Sequence, residues 1–160
     1  MSELHLRVST AEQRLTLCSG DRIERIYSVS TSRFGMGERR GSYKTPRGRH
    51  VIRAKIGTGQ PLGAVLVARR PTGEIYSESL ARTFPERDWV LTRILWLSGT
   101  EIGRNRLGDV DTMRRYVYIH GAPDTAEMGT PESMGCIRMC NSDVVELFDA
   151  VSPGTIVMIS

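Results

Sequence analysis

A chain of 160 residues, 39% of them hydrophobic, has the size and apolar content of one domain closed around one core, so residues 1–160 are taken as a single domain. No run approaches the roughly 20 consecutive apolar residues of a bilayer span, and the polar start MSELHLRVSTAEQ lacks the apolar stretch of a secretory signal; a soluble, cytoplasmic protein is expected, the alternative being a periplasmic one trimmed of its leader. The formal charge of +4 and a pI near 9.2 suit an anionic substrate, a nucleic-acid surface or simple solubility, and charge alone does not choose among them.

Taken in chain order, Leu4, Leu6 and Val8 alternate with His5 and Arg7, and Leu15 and Leu17 alternate with Arg14 and Thr16. This is the period of two half-buried strands in an opening hairpin. A third strand, Ile26 to Ser30, runs into the polar stretch Thr31 to Gly41. Basic residues gather between Arg33 and Arg49, with Arg39, Arg40, Lys44 and Arg47 between them and Glu38 alone opposing. Rich in Gly, Ser and Thr, the segment reads as a solvated loop. Phe34 and Tyr43 are its only aromatics, too few for a single-strand nucleic-acid platform. Thr45-Pro46-Arg47-Gly48 carries Pro and Gly where a type I turn takes them, and a fourth strand, Val51 to Ile56, follows.

Ile75 to Ser77, Leu91 to Leu97 and Tyr116 to His120 are further predicted strands, the second of them so apolar that it belongs at the centre of the sheet. One helix stands out. Asn141 or Ser142 caps it, Asp143 sits in its first turn, Val144, Val145, Leu147, Phe148 and Val151 form one apolar face, and Pro153-Gly154 ends it. A last strand, Thr155 to Ile159, completes a mostly β fold, a sandwich or barrel with one substantial helix near the carboxyl end.

Candidate chemistry concentrates at His120-Gly121 and Ser133-Met134-Gly135-Cys136. His120 ends an apolar strand, where an imidazole at the rim can take a proton near neutral pH. Cys136 follows a glycine, which lets a substrate approach and leaves amide N–H groups for an oxyanion. A thiol beside an imidazole is the usual nucleophile of cysteine acyl transfer. On spacing alone, a buried structural cysteine beside an unrelated histidine accounts for the pair at least as well. Cys18 and Cys140 are read as structural, and three cysteines at irregular spacing suit a reducing compartment better than a disulfide framework. Cys136, Cys140 and His120 do not make a zinc site: a fourth ligand is missing, and residues four apart on an extended chain lie roughly 13 Å from each other. No metal or cofactor is expected, and the oligomeric state is left open.

The full run resembles the L,D-transpeptidase catalytic domain, or YkuD, family, whose signature is a strand-end His-Gly or His-Ser, a loop, then Ser-His-Gly-Cys, an apolar residue and often Arg. The matches here are His120-Gly121, Ser133, Gly135-Cys136-Ile137-Arg138-Met139 and Asn141. Val29-Ser30, Gly41-Ser42, Thr45 to Gly48, Thr92 to Leu97 and Leu147-Phe148 to Gly154-Thr155 resemble further landmarks, so nearly the whole chain is covered. The resemblance implies a YkuD-like β fold in which Cys136 attacks a peptidoglycan stem peptide at the L-configured centre linked to a terminal D-alanine. It also implies His120 as base, the Gly121 carbonyl orienting the ring, and N–H groups near Gly135 and Cys136 holding the oxyanion. Ser133 either donates to the site or pins its loop. Arg138 either pairs with a substrate carboxylate or forms a salt bridge.

One position departs from the signature: Met134 stands where the family has a second histidine, and it neither titrates nor donates a strong hydrogen bond. His5 and His50 are placed on the surface of their strands rather than as replacements. Because a cytoplasmic enzyme would meet soluble muropeptides, the expectation is an L,D-carboxypeptidase of peptidoglycan recycling. The alternatives are a cross-linking or exchanging L,D-transpeptidase and a non-catalytic muropeptide-binding module. A stem peptide or muropeptide is the expected partner, with no nucleic acid and no membrane.

Overall fold

The structure, a computed structural model, describes residues 3–160. Ten strands and two α-helices follow one another: β1 Leu4–Ser9, β2 Arg14–Ser19, β3 Arg22–Ser30, β4 Gly48–Ile56, β5 Ala64–Val67, β6 Arg70–Ile75, α1 Glu78–Thr83, β7 Val90–Gly99, β8 Tyr118–Gly121, β9 Ile137–Met139, α2 Asn141–Ala150 and β10 Ile156–Ile159. Neighbours run β4-β10-β1-β2-β3-β9-β8-β7, and β7 pairs back onto β4, so eight strands close into a mixed barrel. The β5–β6 hairpin hangs from the first residues of β7. Closure gives every strand of the ring a neighbour on both sides, although β3 meets β9 only through Val29 and Ser30. Two pairs, β1 with β10 and β8 with β9, are parallel, and the second of these builds the site.

Alternation along each strand fills the barrel. Leu6, Val8, Leu15, Leu17, Tyr27, Val29, Leu95, Leu97, Ile119, Ile137, Met139, Val157 and Ile159 meet in one buried cluster, which Val144, Leu147 and Phe148 of α2 join from the helix's apolar face. The fold is thus mostly β with one substantial helix near the carboxyl end, and β7 is central, bordered by β8 on one side and by β4 and β5 on the other.

Several elements depart from the sequence reading. β3 begins at Arg22, well before Ile26, because it pairs with β2 from the turn onward while Arg22 to Ile26 face solvent and show no apolar alternation. β5, β6 and β9 are short, and β6 holds Pro71 and Gly73, which an edge strand tolerates. The expected strand Ile75 to Ser77 divides: Ile75 ends β6, and the Ser77 hydroxyl caps α1 by accepting the Leu80 N–H at 3.0 Å. α2 starts at Asn141, so its N-cap falls before either expected cap. Cys140 holds the N-cap position without a side-chain bond, and Asn141 turns inward instead, its Oδ1 accepting from the Thr92 hydroxyl at 2.6 Å.

His50 is also corrected. It is 0% exposed, with Nδ1 3.0 Å from the Gly48 carbonyl and Nε2 2.9 Å from the Thr112 hydroxyl. Its ring braces the segment that leads to the site, and burial pushes its pKa down to about 4.

Candidate active site

The parallel pair β8–β9 sets Ile119 opposite Ile137 and His120 opposite Arg138. Since Ile119 and Ile137 point into the barrel, His120 and Arg138 point out of it. Cys136, two residues before Arg138, projects from the same outer face and packs against Tyr118, Ile94 and Leu66. The backbone N–H of Tyr118 donates to Cys136 Sγ at 3.3 Å, and the thiol in turn reaches the Tyr116 carbonyl at 3.6 Å. Neighbouring strands therefore bring the two predicted reacting groups to one wall.

His120 is 0% exposed. Its Nδ1 lies 2.7 Å from the Gly121 carbonyl, so Nδ1 carries the hydrogen and, in the neutral ring, the free lone pair is on Nε2. Nε2 has no hydrogen-bond partner among the described residues. Burial holds the imidazole below the ordinary histidine range, which keeps it a base at neutral pH. Gly121 is a glycine for steric reasons: a Cβ would collide with Asn141 Oδ1 and come within 2.6 Å of the Leu91 carbonyl.

No hydrogen bond joins ring and thiol in this resting arrangement, because the thiol points to Tyr116. Burial pushes the Cys136 thiol up to about 12, with the Asp88 carboxylate acting in the same direction and Arg138 and Arg115 opposing. Asp88 and Arg138 act on His120 as well, so both groups share one electrostatic environment. The resting pair is a neutral thiol and a neutral imidazole on one wall.

Ser133 pins the loop. Its hydroxyl donates to the Cys136 carbonyl at 2.6 Å and accepts the Gly135 N–H at 3.2 Å, while its backbone pairs with Thr31 and Arg33. The Gly135 N–H is therefore occupied in this structure. The Cys136 N–H donates to no group among the described residues and is open to an oxyanion. Gly135 has φ +126°, a conformation that only glycine adopts at little cost, and its carbonyl accepts from the buried Thr45 hydroxyl at 3.0 Å.

Arg138 binds Asp88 through Nη2 at 3.2 Å and is 20% exposed at its side chain. It is thus ion-paired in this structure. Met134 is 43% exposed and lines, with Cys136, Gly135, Tyr43, Tyr116 and Arg115, a cleft of about 440 Å³. Sequence reasoning did not single out Asp88 or Arg115 and took Thr45 only as part of a turn and a family landmark: Asp88 and Thr45 lie far from the motif in the chain, and Arg115, five residues before His120, sits in a loop without a local pattern. Cys140 is exposed and Cys18 is buried.

The family model of the L,D-transpeptidase catalytic domain, YkuD, matches residues 3–159. The chain is 26% identical over 157 residues to the Bacillus subtilis (strain 168) protein named "Putative L,D-transpeptidase YkuD", covering 98% of this chain and 65% of that one. Among solved structures it resembles an L,D-transpeptidase from Mycobacterium smegmatis, with TM-score 0.59, 19% identity, and coverage of 99% of this chain and 59% of that one. It also resembles L,D-transpeptidase 3 from Mycobacterium tuberculosis, with TM-score 0.61, 16% identity, and coverage of 99% and 61%. These structural likenesses are likenesses of fold, and the chain spans only about six tenths of the length of either solved chain.

Proposed function

The chain belongs to the L,D-transpeptidase catalytic domain (YkuD) family, and from that premise we propose that it is a cysteine L,D-carboxypeptidase that releases the terminal D-alanine of peptidoglycan tetrapeptides. The observation that carries the reading is His120 Nε2, a buried base on the same face as Cys136 with no partner among the described residues. A buried acceptor without a donor is costly, and a thiol proton supplies the donor.

In the first half-reaction Nε2 takes the Cys136 proton as sulfur bonds to the scissile carbonyl carbon, and the Cys136 N–H receives the oxyanion. Collapse breaks the C–N bond, the imidazolium returns its proton to the departing amine, and a thioester is left. Water then adds to the thioester with Nε2 taking its proton. The carbon–sulfur bond breaks, tripeptide acid leaves, and the thiol is restored. The Gly121 carbonyl keeps the ring oriented throughout, a backbone group filling the third place of a triad.

Hydrolysis is favoured by Met134, exposed in the cleft, because it offers an incoming amine no base or acceptor, whereas water needs only His120. A reducing compartment and soluble muropeptides complete the proposal, supported by the exposed free thiol of Cys140. Transpeptidation is the second reading, favoured by the activity in the names of the relatives. Incubating the protein with a soluble tetrapeptide and an excess of a D-amino acid, then separating products by mass, tests the choice. Tripeptide as the main product supports hydrolysis, and predominant exchanged tetrapeptide or dimer overturns it.

A further inference from the structure

The cleft beside Cys136 is lined by three arginines, Arg40, Arg114 and Arg115, with Asp88 as its one carboxylate, and Asp88 is engaged by Arg138. Arg115 differs from the other two in being half-buried. Its guanidinium is fixed by two backbone carbonyls, Nη1 to Gly37 at 3.3 Å and Nη2 to Lys44 at 2.6 Å. It forms no ion pair among the described residues, whereas Arg39, Arg47 and Arg138 each have a carboxylate. A half-buried cation held only by carbonyls lacks a counter-ion, and such an arrangement is costly unless a ligand supplies one. Five N–H donors with two engaged leave three for an incoming anion.

We infer that Arg115 recognises the free α-carboxylate of the substrate's departing C-terminal residue. In a peptide whose scissile carbonyl sits at Cys136, that carboxylate is three bonds from the carbon under attack, so its receptor must be a cation near the thiol. Arg115 meets the requirement: it lines the cleft with Cys136 and acts electrostatically on it. Arg138 is less suited, since a substrate would have to displace Asp88. This assignment rests on the acyl-transfer reading above and holds whether water or an amine takes the acyl group. It makes the enzyme selective for peptides with a free C-terminus.

The test compares a soluble tetrapeptide with the same peptide carrying a C-terminal carboxamide, each with the parent protein, Arg115→Gln and Arg115→Lys. The parent is expected to show a kcat/KM roughly 10- to 100-fold higher for the acid than for the amide, the range of one charge-assisted bond. Arg115→Gln should remove that preference by slowing the acid alone, and Arg115→Lys should keep part of it. If Arg115 merely straps the 37–44 loop, Arg115→Gln slows both substrates equally, and the inference is overturned. It is also overturned, whatever the variants do, if the parent cleaves acid and amide at equal rates. A parent protein that cleaves neither substrate and exchanges neither contradicts the acyl-transfer reading itself, so the two failures are distinguishable.

Discussion

The Gly121 carbonyl lies 2.7 Å from His120 Nδ1, and this one contact decides which nitrogen can act as a base. With Nδ1–H held by the backbone, the buried Nε2 is the only lone pair on the ring. The thiol meanwhile rests against the Tyr116 carbonyl, uncharged because burial pushes it up to about 12. On the proposed function, a neutral pair of this kind hands over its proton during attack and does not start from a standing thiolate.

Alkylation of Cys136 should therefore be slow at neutral pH and still rising with pH above the ordinary thiol range, rather than levelling off near it. Iodoacetamide labelling of Cys136 in a Cys140→Ala background, followed by mass, measures this. A plateau reached below about pH 8 would show a standing thiolate. In turnover, the lowered pKa of His120 keeps the base neutral, so the acid limb of kcat/KM should fall below about pH 6.5.

Stability should fall in mild acid because of His50. Its folded pKa, about 4, lies below the unfolded value of about 6.5, so between the two the unfolded chain binds a proton that the folded protein does not. Stability is therefore full above about pH 6.5, is lost as pH falls, and the loss is complete near pH 4, amounting to roughly 3 kcal/mol. Urea unfolding across this range should show a smaller loss for His50→Gln than for the parent. His120 contributes in the same direction in both proteins, and equal losses would show that His50 is not the group involved.

Removing the Ser133 hydroxyl should loosen the nucleophile loop. Ser133→Ala strands the Gly135 N–H and the Cys136 carbonyl that it now joins, a destabilisation of about 1–3 kcal/mol. Gly135→Ala, at φ +126°, should cost a similar amount through backbone strain, about 1–3 kcal/mol. Denaturant melts alongside D-alanine release check both. A Ser133→Ala protein as stable as the parent would contradict the pinning role.

Met134→His should raise the share of transfer product over tripeptide under fixed substrate concentrations, by restoring a titratable group in the cleft. An unchanged ratio would make Met134 a bystander to acceptor choice.

Much of this was legible in the chain. The β1–β2 hairpin, β7 and α2 announce themselves by period, and His120-Gly121 with Gly135-Cys136 by motif. The parts that were not legible depend on distant contacts. His50 looks like a surface strand residue until β4 packs beside Thr112. Asn141 looks like a helix cap until Thr92 on β7 takes its side chain. Arg115 sits in a loop with no local pattern, and its meaning comes from the Gly37 and Lys44 carbonyls. Ser133 could not be assigned from spacing, since the two partners of its hydroxyl exist only in the folded turn.

The most direct test of the central claim is D-alanine release from a soluble tetrapeptide by the parent protein and by Cys136→Ala, with the intact protein mass followed for a thioester adduct. The account predicts release and an adduct on Cys136 in the parent and neither in the variant, with Cys140→Ala close to the parent. Release by Cys136→Ala at the parent rate would contradict it.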